Sequence, residues 1–315
     1  MSPRPLLFLV LAALTFAETP AVPPLLDADK FKSIEIKIAG QPFTSFIYQG
    51  VPKPVLFPIV GPYGLEMTRN YPLRAALLNE ETDHPHHQSL WFAHGEINGI
   101  DFWSVGPKAG TIVVQGPPKV AEHDGATTIT SAENWLSVEG KRILMSNTQI
   151  TCAAVGEDRT IDYTITLHAS EDALTFGDTK EGTMALRVRP ELNLPSKKGL
   201  ATVTNSKGLT GEAVWGQPAE WVDYSAPIAG HTVGIACFDH PGNLRHPTTW
   251  HARDYGLFAA NPFGLHDFQK APEGAGNYVL EKGGSLTFRY RWLFHAGNAA
   301  DAKLAEAYKL WVGAK

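Results

Sequence analysis

The chain has 315 residues, of which 43% are hydrophobic and 19% charged, and its formal net charge is −5 at pH 7. No block of Lys and Arg occurs, which argues against nucleic acid as a partner, because phosphate binding needs a concentrated cationic face. Eight Trp, nine Tyr and fifteen Phe argue against disorder. The 29 Gly and 23 Pro are spread along the chain and favour short strands joined by turns.

The first predicted element is an export signal at residues 1–17. Arg4 precedes an apolar run from Leu6 to Phe16, and the small residue Ala17 follows it. The run is about half as long as the ~20 residues of a membrane-spanning helix. We therefore expect a signal peptide, a flexible segment over residues 18–29, and a periplasmic or secreted protein without a membrane span.

The remainder of the chain has the pattern of an all-β protein. Alternation of apolar and polar residues predicts strands at 33–38, 161–167 and 286–292. Further β-leaning runs occupy residues 111–121, 126–138, 143–154, 183–192, 213–224, 231–238 and 276–281. Because no helical pattern separates these runs, they predict an antiparallel sandwich or barrel. We expect one domain over residues 30–315.

One helix is predicted at the end of the chain, from Asp301 to Trp311. Leu304, Tyr308 and Trp311 recur at helical spacing and form one apolar stripe. We expect this stripe to pack on the edge of a sheet. The only two cysteines, Cys152 and Cys237, are compatible with a disulfide and equally with two separate buried side chains.

Histidine is concentrated in two segments, residues 84–94 and 240–251. Together they hold seven of the twelve histidines: His84, His86, His87, His94, His240, His246 and His251. Both segments contain Asp-His-Pro, in which proline stiffens the backbone and the aspartate can fix the imidazole tautomer. We interpret the two segments as parts of a shared site. The alternative is that each motif only forms a turn.

A metal site is a second interpretation of the first segment. His84, His86 and His94 could supply three nitrogen ligands to a divalent transition metal and leave a position open. No strong metal-binding signature is present, and the adjacent His86 and His87 would point to opposite faces of a strand. No metal or other cofactor is therefore assigned firmly.

Carboxylates supply the other candidates. Glu181, before a predicted strand, suits a general base or a sugar ligand, although it could equally be a solvated surface residue. Asp223 lies between aromatic residues, a combination found at sugar sites and in ordinary strands. Arg253 and Asp254 could form a local ion pair, and residues 261–264 a turn. Motifs of serine hydrolases, P-loop NTPases and dinucleotide-binding enzymes are absent from the sequence.

These motifs resemble an exported bacterial family labelled "methane oxygenase PmoA", over nearly all of residues 35–311. The most specific matches are Asp83–Trp103, Lys180–Gly182, Trp221–Tyr224, Asp239–Pro247, Trp250–Tyr255 and Asn261–Gly264. Methane oxidation is not expected, because the enzyme subunit of that name spans the membrane and this sequence has no such segment. The family is similar to the galactose-mutarotase-like proteins, which implies an antiparallel β-supersandwich with a carbohydrate site.

The resemblance also implies roles for individual residues. His86 or His87, with His251, would act as acids, and Glu181 as the base. The expected substrate-binding residues are Asp83, Trp91, His94, Arg187, Asp223, His240, His246, Trp250, Arg253, Asp254, Tyr255 and Asn261. Among these, the tryptophans and the tyrosine would stack on a sugar ring, and the charged side chains would orient hydroxyls.

The leading hypothesis is an exported carbohydrate-active enzyme, acting as an epimerase, a lyase or a glycoside-cleaving enzyme. The alternatives are a non-catalytic carbohydrate-binding envelope protein, a metal-dependent lyase or copper-handling protein, and histidine clusters that only brace loops. The enzymatic hypothesis requires the two histidine segments to meet in one cleft.

Overall fold

The computed structural model describes residues 30–314, so the predicted export signal and the segment 18–29 lie outside the described residues. The strands are β1 (Lys32–Ile38), β2 (Gln41–Gln49), β3 (Val55–Ile59), β4 (Leu90–His94), β5 (Thr111–Val114), β6 (Lys119–His123), β7 (Ala126–Leu136), β8 (Arg142–Val155), β9 (Asp158–His168), β10 (Leu174–Phe176), β11 (Gly182–Arg187), β12 (Thr202–Asn205), β13 (Trp221–Ile228), β14 (His231–Asp239), β15 (Thr249–Ala252), β16 (Leu257–Asn261), β17 (Tyr278–Leu280) and β18 (Ser285–Ala296). The α-helices are α1 (Leu265–Gln269) and α2 (Leu304–Gly313).

The strands form two large antiparallel sheets. The smaller of the two has seven strands in the order β1-β2-β3-β4-β11-β16-β15. The larger has nine, in the order β12-β13-β14-β18-β9-β8-β7-β5, with β6 also paired to β7. Strands β10 and β17 form a separate two-stranded antiparallel sheet. The predicted antiparallel supersandwich with a C-terminal helix is confirmed.

The core lies between the two sheets and is rich in aromatic rings. Phe92 of the seven-stranded sheet contacts Trp135 and Phe288 of the other sheet, with ring centroids 6.4 and 5.8 Å apart. Phe258 meets Trp292 edge-on at 5.1 Å. Because each fully buried ring of this kind contributes about 1.5–3 kcal/mol, these contacts hold the seven-stranded sheet against the other. The outer face of the seven-stranded sheet is thereby free to carry a site.

Helix α2 covers the outer face of the nine-stranded sheet. Leu304 and Tyr308 are buried against Trp221, Phe238 and Leu293. The helix begins three residues later than predicted and ends at Gly313, but the predicted stripe is the side that packs. Cys152 and Cys237 are separate buried thiols without a disulfide.

The predicted strands belong mainly to the nine-stranded sheet. Two predictions need correction there: residues 111–121 form two strands, β5 and β6, and the run 213–224 begins with a 3₁₀ turn, so that β13 starts only at Trp221. The strands missed by the sequence pattern are β2, β3, β4, β10, β12, β15 and β16. Most of these are buried on both faces, which removes the alternation that marks a half-exposed strand.

Asp223, an expected sugar ligand, is instead fully buried beneath the α2-facing side of the larger sheet. Its Oδ1 lies 2.8 Å from Nε2 of His295, which is also fully buried. Burial works against the charged imidazolium, but the neighbouring carboxylate outweighs it and raises the pKa of His295. This pair belongs to the structural core and does not face a ligand.

The pair predicts a pH-dependent contribution to stability. A pKa raised on folding stabilises the folded state fully below the unfolded value of about 6.5, and this contribution is lost as pH rises through the folded pKa. We expect the difference in free energy of unfolding between the wild type and His295→Gln to shrink as pH rises above neutrality. Urea denaturation at a series of pH values measures it, with the exposed His123→Gln as control. A difference that does not change with pH would contradict the assignment.

Candidate active site

The candidate site begins with the outer face of the seven-stranded sheet. Residues directly paired across strands point to the same face, and one such row runs Val55, Trp91, Ala185, Ala259, His251. The neighbouring row contains Arg187, Leu257 and Arg253. Because the two central positions are alanines, the middle of this face carries no bulky side chain of its own, and the loops around it contribute the functional groups.

A cluster of charged groups fixes the first histidine segment over this face. Oδ1 of Asp83 accepts hydrogen bonds from Arg69 at 2.7 Å and from Arg187 at 3.0 Å, and both guanidinium groups are buried. Oδ2 lies 2.6 Å from Nδ1 of His84. The pKa of Asp83 is lowered, because Arg187, His84 and Arg69 together outweigh the opposing effect of burial. Both carboxylate oxygens thus have protein partners, and Asp83 positions the loop rather than a sugar hydroxyl.

Four nearly parallel rings form a cluster above the sheet, in which His84, His87 and Tyr255 all lie within 6.4 Å of one another. The imidazole of His84 is nearly parallel to the rings of Tyr255 and His87, with centroids 5.3 and 4.8 Å away. His87 in turn stacks on Trp91 at 5.4 Å. His86 meets His87 edge-on at 4.4 Å. The expectation that His86 and His87 point to opposite faces is wrong, because residues 85–86 form a turn and no strand begins before Leu90.

His84 has the geometry of a general base. Asp83 can only accept a hydrogen bond, so Nδ1 of His84 carries the proton and Nε2 keeps a free lone pair. The side chain is 41% exposed. Its backbone lies in the left-handed region at φ +45°, a conformation that non-glycine residues adopt mainly where local constraints hold them. The sequence analysis placed His84 in the shared histidine site, with its tautomer fixed by Asp83, and named it as a candidate metal ligand but not as a catalytic residue.

The other imidazoles of the site are uncharged at neutral pH. Burial, with the cation of Lys53, lowers the pKa of His86 to about 4. Burial and neighbouring positive charge also place the pKa of His87 well below its ordinary value. Arg187 donates to Nδ1 of His87 at 3.0 Å, so that nitrogen is unprotonated. At neutral pH these imidazoles are neutral and lack the acidic imidazolium proton, so they suit proton acceptors better than the expected acids.

Three side chains hold the segment that ends at Glu181. His94 donates from Nε2 to the carbonyl of Gly177 at 2.9 Å, and Asn261 donates to Thr179 at 2.9 Å. His251 donates from Nδ1 to the carbonyl of Lys180 at 3.0 Å. All three side chains belong to buried residues. They were expected to contact substrate or to supply protons, and the structure makes them supports for Glu181.

Glu181 itself is half-buried at the rim of the site. Burial raises the pKa of its carboxyl group, the carboxylates of Asp101 and Asp267 raise it further, and Lys180 opposes them. Its negative charge also acts on the hydroxyl of Tyr255, the ring on which His84 stacks. Glu181 therefore retains its proton to higher pH than an ordinary glutamate and suits an acid better than the expected base.

The sequence analysis missed two charged residues beneath the histidines. Lys53 is only 1% exposed, and its ammonium group donates to the carbonyl of Trp103, whose ring contacts His86 and His87. Burial lowers the pKa of Lys53 to about 7, against the charge of Asp101. Asp101 also accepts the backbone N–H groups of Trp103 and Ser104. The only sequence signal is a lysine between two prolines in an apolar run.

The second histidine segment does not meet the first as a unit. His246 lies 2.7 Å from the buried carboxylate of Asp239, and His240 packs edge-on against Trp311 of helix α2 at 5.4 Å. Trp250 is buried in the core and donates to the carbonyl of Ala219 at 2.9 Å. Trp91 is likewise fully buried and is not a stacking surface for a sugar. Only His251, the last residue of this segment, and the residues that follow it up to Tyr255 reach the site.

The proposed ligand triad for a metal is not assembled. His94 bonds to Gly177 and belongs to the supports of Glu181, while His84 and His86 lie in the ring cluster. Within residues 30–314, no group of three or more His, Cys, Asp or Glu side chains is arranged to hold a metal ion. The same part of the chain contains no helix with the length and apolarity required to cross a membrane.

Comparison with known families gives one match that spans both sheets. The model of a family of unknown function, DUF6807, matches residues 33–309. The chain belongs to this family. The family description carries no methane oxygenase label. The sequence matches no curated relative.

Solved structures that are similar to this chain include galactosidases and a galactose mutarotase-like protein. An alpha-galactosidase from Lactobacillus brevis is 10% identical with a TM-score of 0.44, and the match covers 86% of this chain and 40% of that one. The galactosidase domain of an alpha-galactosidase-sucrose kinase is 11% identical with a TM-score of 0.42, and the match covers 87% of this chain and 42% of that one. A galactose mutarotase-like protein from Lactobacillus casei is 12% identical with a TM-score of 0.35, and the match covers 86% of this chain and 99% of that one. The chain thus spans about two fifths of the two galactosidase structures.

Proposed function

We propose that this protein is an exported enzyme that acts on a sugar or modified sugar by general acid–base catalysis. The observation that carries the proposal is the presence of two groups around one face of the seven-stranded sheet: the carboxyl group of Glu181, next to the Lys180 carbonyl that His251 holds, and the imidazole of His84, which has a fixed tautomer and stacks on Tyr255. Both groups are partly exposed, so both are accessible to a ligand. The buried imidazoles of His86 and His87 beside them are neutral at neutral pH.

The proposed chemistry moves one proton onto the enzyme and another off it. Nε2 of His84 accepts a proton from a sugar C–H or O–H group, and Asp83 stabilises the resulting imidazolium. Glu181 donates its proton to the oxygen on which negative charge develops, either a departing glycosidic oxygen or a carbonyl oxygen. The exposed edge of the half-buried Tyr255 ring contacts the sugar, because His84 and the guanidinium groups of Arg187 and Arg253 pack over its faces. The net proton count of the enzyme is unchanged over the step.

Nuclear magnetic resonance in D₂O tests the proposal whichever bond of the sugar is changed. Sugars are incubated with the protein and scanned for loss of a C–H signal by exchange, for new olefinic signals and for new anomeric signals. An epimerase, a lyase and a glycoside-cleaving enzyme each give a different pattern. Line broadening without any new signal would indicate a non-catalytic carbohydrate-binding protein and overturn the enzymatic proposal.

His84→Gln provides the matched test of the base. We expect proton removal to fall by about 10²–10⁴-fold, because glutamine cannot accept the proton. His168→Gln, an exchange at a half-buried histidine of β9 in the other sheet, serves as control. Exchange at the wild-type rate in His84→Gln would exclude His84 as the base.

A further inference from the structure

Arg253 differs from the other arginines of the site because its guanidinium has no polar partner. Arg69 donates to Asp83 and to four backbone carbonyls, and Arg187 donates to Asp83 and to His87. By contrast, within residues 30–314 the guanidinium of Arg253 makes neither a hydrogen bond nor an ion pair. The predicted local pair with Asp254 is not formed; Asp254 instead accepts the N–H of Tyr255 at 2.9 Å and lies 3.9 Å from Lys197.

Two aromatic rings hold this guanidinium in place. Its central carbon lies 5.9 Å from the ring centroid of Trp215 and 5.4 Å from that of Tyr255. Stacking on rings restrains the guanidinium plane without using its N–H donors, so all five remain available. A restrained guanidinium with free donors is preorganised for a planar, bidentate acceptor.

Arg253 lines a pocket of about 230 Å³ together with Glu212, Trp215, Ala252 and Asp254. The pocket adjoins the candidate site in two places. The ring centroids of Trp215 and His251 are 6.3 Å apart, and the ring of Tyr255 stacks on that of His84. His251 and Arg253 are two residues apart, which places them about 6.6 Å apart along one face of an extended chain. A group bound at Arg253 therefore lies beside the Tyr255 ring on which His84 of the catalytic pair stacks.

We propose that Arg253 binds the carboxylate of an acidic sugar, so that the substrate of this site is a uronic acid or a glycan containing one. This inference rests on the proposed function and names its substrate class. The two acidic side chains beside the pocket, Glu212 and Asp254, repel a doubly charged phosphate more strongly than a singly charged carboxylate, which one guanidinium can neutralise. Trp215 and Tyr255 cover the apolar edges of the same sugar unit.

Calorimetric titration tests the inference with defined probes. D-glucuronate and D-galacturonate are compared with D-glucose and D-galactose, and glucose 6-phosphate serves as the doubly charged probe. We expect uronates to bind at least tenfold more tightly than the neutral sugars, which corresponds to about 1.4 kcal/mol. Arg253→Gln should abolish this preference, so that uronates and neutral sugars bind with similar affinity. Arg253→Lys should restore it only in part, because an ammonium cannot bind a carboxylate bidentately.

The controls separate this inference from the proposed function. Arg159→Gln removes an arginine of β9 that bonds only to carbonyls of its own turn, and it should leave uronate binding unchanged. Glu181→Gln should keep the uronate preference and lose turnover. Equal binding of acidic and neutral sugars, an unaltered preference in Arg253→Gln, or no uronate binding at all would each overturn the role of Arg253. Uronate preference without any turnover would overturn the enzymatic proposal alone.

Discussion

Replacing Glu181 by glutamine is expected to lower turnover by about 10²–10⁴-fold, the usual contribution of a positioned acid. Glutamine keeps the shape and the hydrogen-bonding capacity of the protonated carboxyl group but cannot release a proton. The segment that carries it is held by backbone carbonyl contacts from His94, Asn261 and His251, none of which involves the carboxyl group. The fold should therefore be unchanged, and single-turnover rates with saturating sugar measure the effect.

The pH dependence distinguishes an acid from a base at this position. If Glu181 donates a proton, activity falls as pH rises through its pKa, which burial and two neighbouring carboxylates raise above the ordinary value. If Glu181 were the base, activity would instead rise through that pKa. The pKa of His86 is lowered to about 4, so this imidazole is already neutral near pH 7 and does not contribute to the pH profile of activity in that range. In Glu181→Gln, the residual activity should no longer fall as pH rises. If the fall in activity at alkaline pH persists in this variant, it reports the titration of another group.

An exposed glutamate supplies the matched control for this variant. Glu122 lies on strand β6 of the other sheet and is exposed. Glu122→Gln should retain full turnover and the wild-type pH profile. A loss of turnover in both variants would indicate a general effect of charge rather than proton donation by Glu181.

The sequence predicted the nine-stranded sheet better than the sheet that carries the site. Strands such as β8 and β9 are covered on one face only, so their residues alternate between apolar and polar. Leu90–His94 and Leu257–Asn261 are buried on both faces and contain Ala, His and Asn, so no period-2 signal remains. The strands that position the site were thus the hardest ones to recognise.

The site was predicted in part because histidine content is visible in sequence and tertiary partnership is not. The first histidine segment and Glu181 do lie around one face, together with the segment from His251 to Tyr255. Nothing local distinguishes His240, which packs on Trp311, from His84, which is oriented by Asp83, because both follow an aspartate and precede a proline. The decisive partner of Asp83, Arg187, is 104 positions away.

Asp83→Ala is expected to cause the largest loss of stability among single changes at this site. It leaves Arg69 and Arg187, whose side chains are only 2% exposed, without their shared carboxylate. Removing one partner of a buried ion pair costs about 3–5 kcal/mol, and the partial exposure of Asp83 reduces the expected loss to about 2–3 kcal/mol. Urea denaturation at neutral pH measures this difference in free energy of unfolding.

The sign of the pH effect provides a second measurement on the same variant. The pKa of Asp83 is lowered on folding, so its contribution to stability is present above the unfolded pKa of about 3.9 and is lost as pH falls through the folded pKa. The difference between the wild type and Asp83→Ala should therefore be constant near neutrality and shrink only in acid. Asp172→Ala, which removes an exposed carboxylate 3.8 Å from Lys282, should cost less than about 1 kcal/mol.

Asp83→Asn separates the charge from the shape of this side chain. Asparagine can still accept a hydrogen bond from one arginine, but its amide group cannot receive the proton of Nδ1 of His84 at the position of Oδ2. We expect an intermediate loss of stability together with a loss of proton removal close to that of His84→Gln, because the imidazole loses its fixed tautomer. Wild-type exchange rates in a folded Asp83→Asn would show that Asp83 serves only to neutralise the two arginines.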